Sequence, residues 1–176
     1  MMIVDRAALQ DSDLPMAALA AHMRLPEGWD AVPGQVERLR SRMAAAVLEV
    51  EGRVGKSLVL RTFTLSGEAL DARVTVPLAP IASVEAVQVD GASVTGFGVE
   101  REAHRAVLVL PGVARGAKVV AQVRAGWGTW ADAPAPLCEA VLRRAEDLDL
   151  GAAAGLATSI RALLAPWRPV RLGARA

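Results

Sequence analysis

The sequence is poor in the residues that build disulfides, metal sites and aromatic sites. Its 176 residues include one cysteine, two histidines and no tyrosine, and aromatic residues make up 3% of the chain. The single cysteine, Cys138, cannot form an internal disulfide, and neither histidine has a cysteine or a second histidine at metal-ligand spacing. We therefore expect no structural disulfide, no metal site and no cofactor.

Long hydrophobic runs are absent as well. Hydrophobic residues make up 53% of the chain, yet no apolar stretch reaches the ~18 residues that a membrane-spanning helix needs. Asp5 and Arg6 follow the first apolar residues at once, so a signal peptide is not expected. The apolar content is carried mainly by Ala, Val and Leu. This composition predicts a folded chain with a core of small side chains, made in a reducing compartment.

The charge balance argues against a protein that coats nucleic acid. The formal net charge is +1 and the pI is about 8.0, whereas nucleic-acid-binding domains are usually more basic. The charge is unevenly distributed, because no acidic residue follows Asp149 while four arginines do: Arg161, Arg168, Arg171 and Arg175. We expect this cationic C-terminal segment to meet an acidic partner.

Helical periodicity marks four segments on either side of a central block. Helices are predicted at about residues 14–25, 35–51, 136–150 and 157–164. The second is the clearest, because its apolar residues recur at steps of three and four and share one face. These residues are Val36, Leu39, Met43, Ala46, Val47, Val50 and Val54.

Between about residues 57 and 124 the pattern changes to short, valine-rich runs separated by turn residues. Five strands are predicted, near residues 58–65, 73–76, 83–89, 106–110 and 118–124. Their spacing indicates an antiparallel sheet or a small barrel of hairpins. The predicted fold class is α+β: a helical bundle with an inserted antiparallel β block, forming one composite domain over residues 1–165. An extended C-terminal arm is predicted over residues 166–176.

The run Gly52-Arg53-Val54-Gly55-Lys56-Ser57 resembles the end of a phosphate-binding loop. That loop requires a glycine five positions before Gly55, a preceding strand and a following helix. Val50 stands at the glycine position, and here a helix precedes and a strand follows. We interpret the run as a helix-to-strand turn and expect no nucleotide binding.

The other candidates for chemistry have no partners in the sequence. His22, in the first helix, and His104, in a polar loop, are both expected at the surface. Cys138 lies near the start of a helix, where a somewhat lowered thiol pKa is expected, but its neighbours do not indicate a nucleophile. The three acidic residues between positions 146 and 149 are expected to form a solvated helix face. We assign no catalytic residue and do not expect an enzyme.

Two tryptophans lie among glycines between the last predicted strand and the third helix, in Gly126-Trp127-Gly128-Thr129-Trp130. Trp127 and Trp130 can fill the seam between sheet and helix. Alternatively, they can form an exposed anchor for a partner subunit, because tryptophan is enriched at interface hot spots. The sequence favours the first interpretation and leaves both open.

The C-terminal arm combines prolines, apolar anchors and arginines at close spacing. The prolines restrict the free backbone and lower the cost of ordering an extended segment, and the arginines can bind carboxylates with two hydrogen bonds. This combination favours a partner-binding arm over a disordered tail. Its residues are Pro166, Trp167, Arg168, Pro169, Val170, Arg171 and Leu172.

Four sequence segments and their order along the chain resemble those of the head–tail connector (adaptor) proteins of long-tailed phages. They are Gly52-Arg53 leading into residues 58–65, the proline-bounded residues 76–87, residues 123–128 followed by Pro134 and Pro136, and residues 164–172. The last segment is most similar to the proteins of the gene transfer agent branch. Gene transfer agents are the domesticated phage-like particles of some bacteria. The resemblance covers roughly residues 14–172.

This resemblance implies a structural role. Such proteins form a ring, commonly of twelve subunits, below the portal in the neck of the particle, and assembly takes place in the bacterial cytoplasm. The ring connects the portal to the stopper, or head-closure protein, and to the tail. DNA passes through its lumen without sequence-specific binding, and no membrane is involved. The arm from Pro166 would bind the portal. Two alternatives stay open: another neck component, such as a stopper or tail-completion protein, and a small nucleic-acid-binding module.

Overall fold

The chain divides into two units, each built from two separate segments. The structure, a computed structural model, describes residues 1–101, 105–151 and 155–168. Met1–Leu9 and Lys56–Asp132 form the first unit, which we call the β unit, and Gln10–Gly55 and Ala133–Ala176 form the second, the helical unit. The β block is thus inserted between helical segments, as the sequence predicts. The single composite domain over residues 1–165 stays a prediction.

Four α-helices form the helical unit, which confirms the four predicted helices. They are α1 (Met16–His22), α2 (Gln35–Val54), α3 (Ala135–Asp149) and α4 (Thr158–Leu164).

Two helix ends differ from the predicted positions. α1 ends earlier than residue 25, and Arg24 then adopts a left-handed backbone with φ 51°. α2 continues through Gly52 and ends at Gly55, which has φ 64° and donates its N–H to the Glu51 carbonyl. A single glycine inside a helix costs only about 1 kcal/mol, and Val50 and Val54 on either side of Gly52 are fully buried. Packing therefore extends the helix past Gly52.

The core of the helical unit lies mainly between α2 and α3. The predicted apolar face of α2 is buried except for Val36, which is half-buried at its start. α1 and α4 contribute one and two buried residues. The buried apolar side chains of the four helices are Leu19, Leu39, Met43, Ala46, Val47, Val50, Val54, Leu137, Ala140, Val141, Ala145, Ile160 and Leu164. Within the described ranges, no helix has the length and hydropathy of a membrane-spanning segment.

Eight strands form the β unit. They are β1 (Met2–Arg6), β2 (Arg61–Glu68), β3 (Arg73–Val76), β4 (Ile81–Val89), β5 (Ala92–Ser93), β6 (Gly98–Arg101), β7 (Ala106–Val109) and β8 (Lys118–Ala125).

The strands are arranged in two antiparallel sheets. One has the order β1-β2-β8-β4-β5, and the other has the order β3-β7-β6. All five predicted strands are present, whereas β1, β5 and β6 were not predicted. β2 begins at Arg61 instead of residue 58, because residues 57–60 form an irregular segment in which Ser57 Oγ donates to the Val59 carbonyl.

The two sheets enclose one apolar core. Residues 94–101 connect them, running alongside β4: the Val94 N–H donates to the Val87 carbonyl, and the Arg101 side chain donates to the Ile81 and Ala82 carbonyls at 3.3 Å. Among the described strands, β1 and β5 are the outer strands of the first sheet, and β3 and β6 are those of the second. The larger core side chains are Phe63, Leu65, Val74, Val76, Leu78, Ile81, Val87, Leu108, Leu110, Val119 and Val123.

Candidate functional site

The segment that resembles a phosphate-binding loop passes from a helix into a strand. Lys56 follows the end of α2, is buried, and forms a parallel bridge with Ala79, whose carbonyl accepts the Ser57 N–H at 2.9 Å. Burial lowers the pKa of Lys56. The next element is β2, so this part of the chain has no helix N-terminus to hold a phosphate.

His22, which was predicted at the surface, is partly exposed and is held by a carboxylate. Its Nε2 lies 3.2 Å from Glu146 Oε2, and 20% of the side chain is exposed. The pair lines a cavity of about 390 Å³ together with Glu139, Arg143 and Asp147. His104, the second histidine, lies outside the described residues.

Two of the three acidic side chains at the end of α3, Glu146 and Asp149, are paired with basic residues, whereas a solvated face was predicted. Besides Glu146, Asp149 has only 8% of its side chain exposed, and its Oδ1 lies 3.1 Å from Arg38 Nη1 on α2. The prediction failed because the last turn of α3 lies against helices that carry basic side chains. Among the described residues, no group of three or more His, Cys, Asp or Glu side chains is placed to hold a metal ion.

Cys138 is half-buried in the first turn of α3, and its Sγ donates to the Ala133 carbonyl at 3.7 Å. Burial raises the pKa of the thiol. The predicted lowering is wrong, because the loss of hydration outweighs the effect of the nearby helix N-terminus.

Two glycines fix the loop that carries the tryptophans. The Gly126 N–H donates to the Pro80 carbonyl at 3.0 Å, and the Gly128 carbonyl accepts the Leu60 N–H at 2.8 Å. Gly126 has φ +132°, and a Cβ there would collide with the Val59 carbonyl. The loop therefore passes so close to the segment before β2 that it needs glycine.

Asp132 holds the far end of the same loop. Its Oδ2 accepts the Thr129 hydroxyl at 2.7 Å and the Thr129 N–H at 2.8 Å, and these hydrogen bonds lower the pKa of Asp132. Trp127 and Trp130 are both half-buried on this fixed loop. Their two alternative roles, seam residues or partner anchors, stay predictions.

The first residues of the predicted arm continue from α4. Ala165–Trp167 form a 3-10 turn, and the extended conformation begins at Arg168, with φ −75° and ψ 134°. Pro166 and Arg168 are exposed, while Trp167 is half-buried. Pro169, Val170, Arg171 and Leu172 lie outside the described residues.

Sequence reasoning missed a buried cation in the helical unit. Arg144 Nε lies 2.7 Å from Glu49 Oε2, only 7% of the Arg144 side chain is exposed, and its Nη1 donates to the Gly155 carbonyl at 3.3 Å. A signal was present, since Arg144 is seven residues after Leu137 and three after Val141, the spacing of residues on one face of a helix. It therefore faces the core with them.

Sequence reasoning also missed the exposed edge strand β1. All five of its residues are exposed, including the apolar side chains of Met2, Ile3 and Val4 at 66%, 41% and 54%. A row of apolar side chains on an open sheet edge is a candidate contact surface.

Comparisons with known proteins found solved structures that are similar to this chain. No protein-family model matches the chain. No curated protein matches it either. One similar structure is a chain of the neck of an empty GTA particle computed with C6 symmetry, with 32% identity, a TM-score of 0.83 and full coverage of both chains.

Two further solved structures agree with it. One belongs to the virion of a native gene transfer agent (GTA) particle, with 28% identity, a TM-score of 0.81, and coverage of 98% of this chain and 97% of the other. The other is from the neck of a native GTA particle computed with C12 symmetry, with 29% identity, a TM-score of 0.78 and full coverage of both chains.

Proposed function

We propose that this chain, which belongs to the gene transfer agent branch of the head–tail connector family and is a structural component of the particle neck, forms the adaptor ring between portal and stopper. The observation that carries the proposal is the similarity to neck chains over the whole length of both proteins. The C6 and C12 symmetries of those necks support a ring of identical subunits, and we propose twelve. DNA would pass through its lumen without sequence-specific binding.

The polar side chains support a structural rather than an enzymatic role. Among the described residues that the sequence singled out, Lys56 is buried, and His22 and Asp149 are paired. Each pair joins two helices of the helical unit, which stabilises the packing instead of presenting a reactive group.

The segment from Pro166 to Leu172 would bind the portal. Ile160 and Leu164 bury the inner face of α4, so the segment leaves from a fixed base. Burial of a tryptophan and two aliphatic side chains contributes about 4–6 kcal/mol per arm, and ordering the segment offsets much of this. A single arm therefore binds weakly, whereas the arms of a whole ring act together because each later contact is effectively intramolecular.

The test compares the full chain with a variant that ends at Arg168, each mixed with purified portal. Because α4 remains intact, the shortened chain should melt at the same temperature as the full chain; it keeps Trp167 but lacks Val170, Arg171 and Leu172, so it should co-sediment with the portal much less than the full chain does. Arg161→Ala is the matched control, since it removes an exposed arginine of the same basic C-terminal region but leaves the arm, and it should keep portal binding.

The outcomes separate the parts of this proposal. Portal binding by the shortened chain as strong as that of the full chain would contradict the role of the arm and leave the ring in place. A full chain that binds stopper or tail components but not the portal would favour the alternative of a stopper or tail-completion protein.

A further inference from the structure

The side of α2 that is turned away from the core is exposed and basic. One helical turn takes about 3.6 residues, so the exposed Ser41 and Ala45 lie opposite the buried Met43 and Val50. Their short side chains let another surface approach this side closely. Three of the four exposed charged side chains of α2 are arginines, in the set Glu37, Arg38, Arg42 and Arg53. We call Ser41, Ala45 and these four charged residues the outer face of α2.

Arg42 is the arginine of the outer face whose charge is not used within the described part of the chain. Arg38 is paired with Asp149, and Arg53 is paired with Glu49. Arg42 is exposed and makes no ion pair or side-chain hydrogen bond with any described residue. Its guanidinium is therefore available to a carboxylate of another molecule.

The cavity between α1, α3 and α4 has the opposite charge. Three carboxylates and one guanidinium line it, so its net charge is negative whether His22 is neutral or protonated. Glu139 is paired with Arg143, and Glu146 is paired with His22. Asp147, on the same wall, makes no ion pair or side-chain hydrogen bond with any described residue. Asp147 is therefore the carboxylate that can accept a cation from outside the chain.

The cavity and the outer face of α2 lie on opposite sides of the α2–α3 pair. Along α3, Glu139, Arg143 and Glu146 follow one another at steps of four and three, which places them on one side of the helix. The buried Leu137 and Val141 lie on the other side, toward the core that α3 shares with α2. Each copy of the chain thus carries a basic surface on one side and an acidic cavity on the other.

We propose that, in the ring of the proposed function, the outer face of α2 in each copy docks onto the cavity of the next copy, with Arg42 against Asp147. A guanidinium has more N–H donors than one carboxylate uses, and the Ser159 hydroxyl in the same cavity can accept another of them. Charge complementarity of this kind determines which surfaces meet and in which register.

The partner on each surface is a second copy of this chain. Neighbours in a cyclic ring contact each other through two different surfaces, whereas a contact between two identical surfaces is two-fold symmetric and ends at a dimer. The outer face of α2 and the cavity are different surfaces on opposite sides of the helical unit. The contact therefore repeats from copy to copy and can close. It rests on the proposed ring, and the test below separates the two.

The test reverses these charges in the full chain and measures the copies of the chain per purified particle by quantitative mass spectrometry. Arg42→Glu alone and Asp147→Arg alone each place like charges in every contact, so the number of copies should fall by at least about tenfold. When the two variants are produced in the same cells, they can alternate around the ring, and every contact again joins opposite charges. Joint production should therefore restore incorporation.

Rescue by joint production identifies a contact between copies, because two variants that each fail to fold do not repair one another. Arg115→Glu reverses an exposed charge of the β unit and is the control that should leave incorporation unchanged. Asp147→Asn keeps the size of the side chain and removes its charge, so it should lower incorporation while the melting temperature of the isolated chain stays the same.

Normal incorporation of either charge-reversed variant, or no rescue by joint production of two variants that melt like the unmodified chain, would overturn this contact and leave the ring intact. If Asp147→Arg lowers the melting temperature, Asp147→Asn decides instead, and its normal incorporation would overturn the contact. Absence of the unmodified chain from purified particles would overturn the ring itself, and the contact with it.

Discussion

Gly126 occupies the position where the loop before α3 approaches the segment before β2 most closely. A Cβ there would lie 2.6 Å from the Leu60 N and would also collide with the Val59 carbonyl, at a φ of +132°. We expect Gly126→Ala to lower the free energy of unfolding by about 2–4 kcal/mol, because backbone atoms have to move. Urea unfolding followed by circular dichroism measures the change.

The matched control is Gly52→Ala, in α2, where nothing lies within 4 Å of the added Cβ. There alanine should leave the free energy of unfolding unchanged or raise it by up to about 1 kcal/mol, because it favours the helix more than glycine does. Equal effects of the two substitutions would contradict the close approach at Gly126.

Asp132 makes the stability of the loop that carries Trp127 and Trp130 dependent on pH. The hydrogen bonds from Thr129 lower the pKa of Asp132 in the folded chain, so its contribution to stability is present above the carboxyl's unfolded pKa. That contribution is lost as the pH falls through the lower, folded pKa. Asp132→Asn should therefore lower the melting temperature at neutral pH, and the difference from the unmodified chain should shrink in acid.

Asp147→Asn is the control, since Asp147 makes no ion pair or side-chain hydrogen bond among the described residues and holds no loop. Its melting temperature should follow that of the unmodified chain at every pH. A difference for Asp132→Asn that stays constant from neutral pH to acid would show that the carboxylate charge does not hold the loop.

At the scale of elements, Arg144 connects α3 to α2 through Glu49. Arg144→Met removes the charge but keeps an apolar stem of similar length, and it leaves Glu49 with Arg53 at 3.5 Å as its remaining cation. We expect a loss of about 1–3 kcal/mol in the free energy of unfolding, since the pair is largely buried on the arginine side. Denaturant unfolding checks this value.

Arg53→Ala removes the other, exposed cation that is paired with Glu49. Half of the Arg53 side chain is exposed, and such surface pairs contribute about 0–1 kcal/mol. A loss from Arg53→Ala as large as that from Arg144→Met would mean that burial does not distinguish the two cations.

The helices could be predicted because their apolar spacing is a local signal. The strands inside the β block could be predicted where valine-rich runs alternate with turn residues. β1 could not, because Met2–Arg6 pairs with a strand more than fifty residues away and its three apolar residues stand next to each other, without alternation. β6 could not, because Gly98–Arg101 has a single apolar side chain and depends on β7 for its pairing.

In the candidate site, too, features with a local sequence pattern could be predicted, whereas contacts between distant residues could not. The apolar anchors and arginines of residues 166–172 are a pattern in the sequence, and the portal as their partner is a prediction from the resemblance to neck proteins. The pairing of His22 with Glu146 joins residues 124 positions apart, and no local pattern carries that information. The burial of Arg144 had a local signal, but the rule that arginine lies at the surface outweighed it.

At the scale of the whole molecule, the charge balance limits how tightly the chain binds DNA. With a net charge of +1, we expect the full chain to bind duplex DNA no more tightly than about 10⁻⁵ M at physiological salt, within the range of non-specific binding. If the ring is the DNA conduit that we propose, it has to release the DNA that passes through it. Fluorescence anisotropy with labelled duplex, measured at several salt concentrations, tests this expectation.

The chain that ends at Arg168 is a useful comparison, because it lacks Arg171 and Arg175. Its weak binding should match that of the full chain. Tight binding with a steep dependence on salt, lost in the shortened chain, would instead favour the nucleic-acid-binding module.

The insertion of the β unit between helical segments also sets the order in which the chain can fold during synthesis. β1 leaves the ribosome before the strand it pairs with, since β2 begins 55 positions after Arg6, a delay of roughly 3–10 s at typical translation rates. The sheet that β1 joins is complete only after β8, and α2 gains its main packing partner only with α3. We expect interrupted translation products that end before β8 to contain neither unit, so that proteases remove them before they can join a ring.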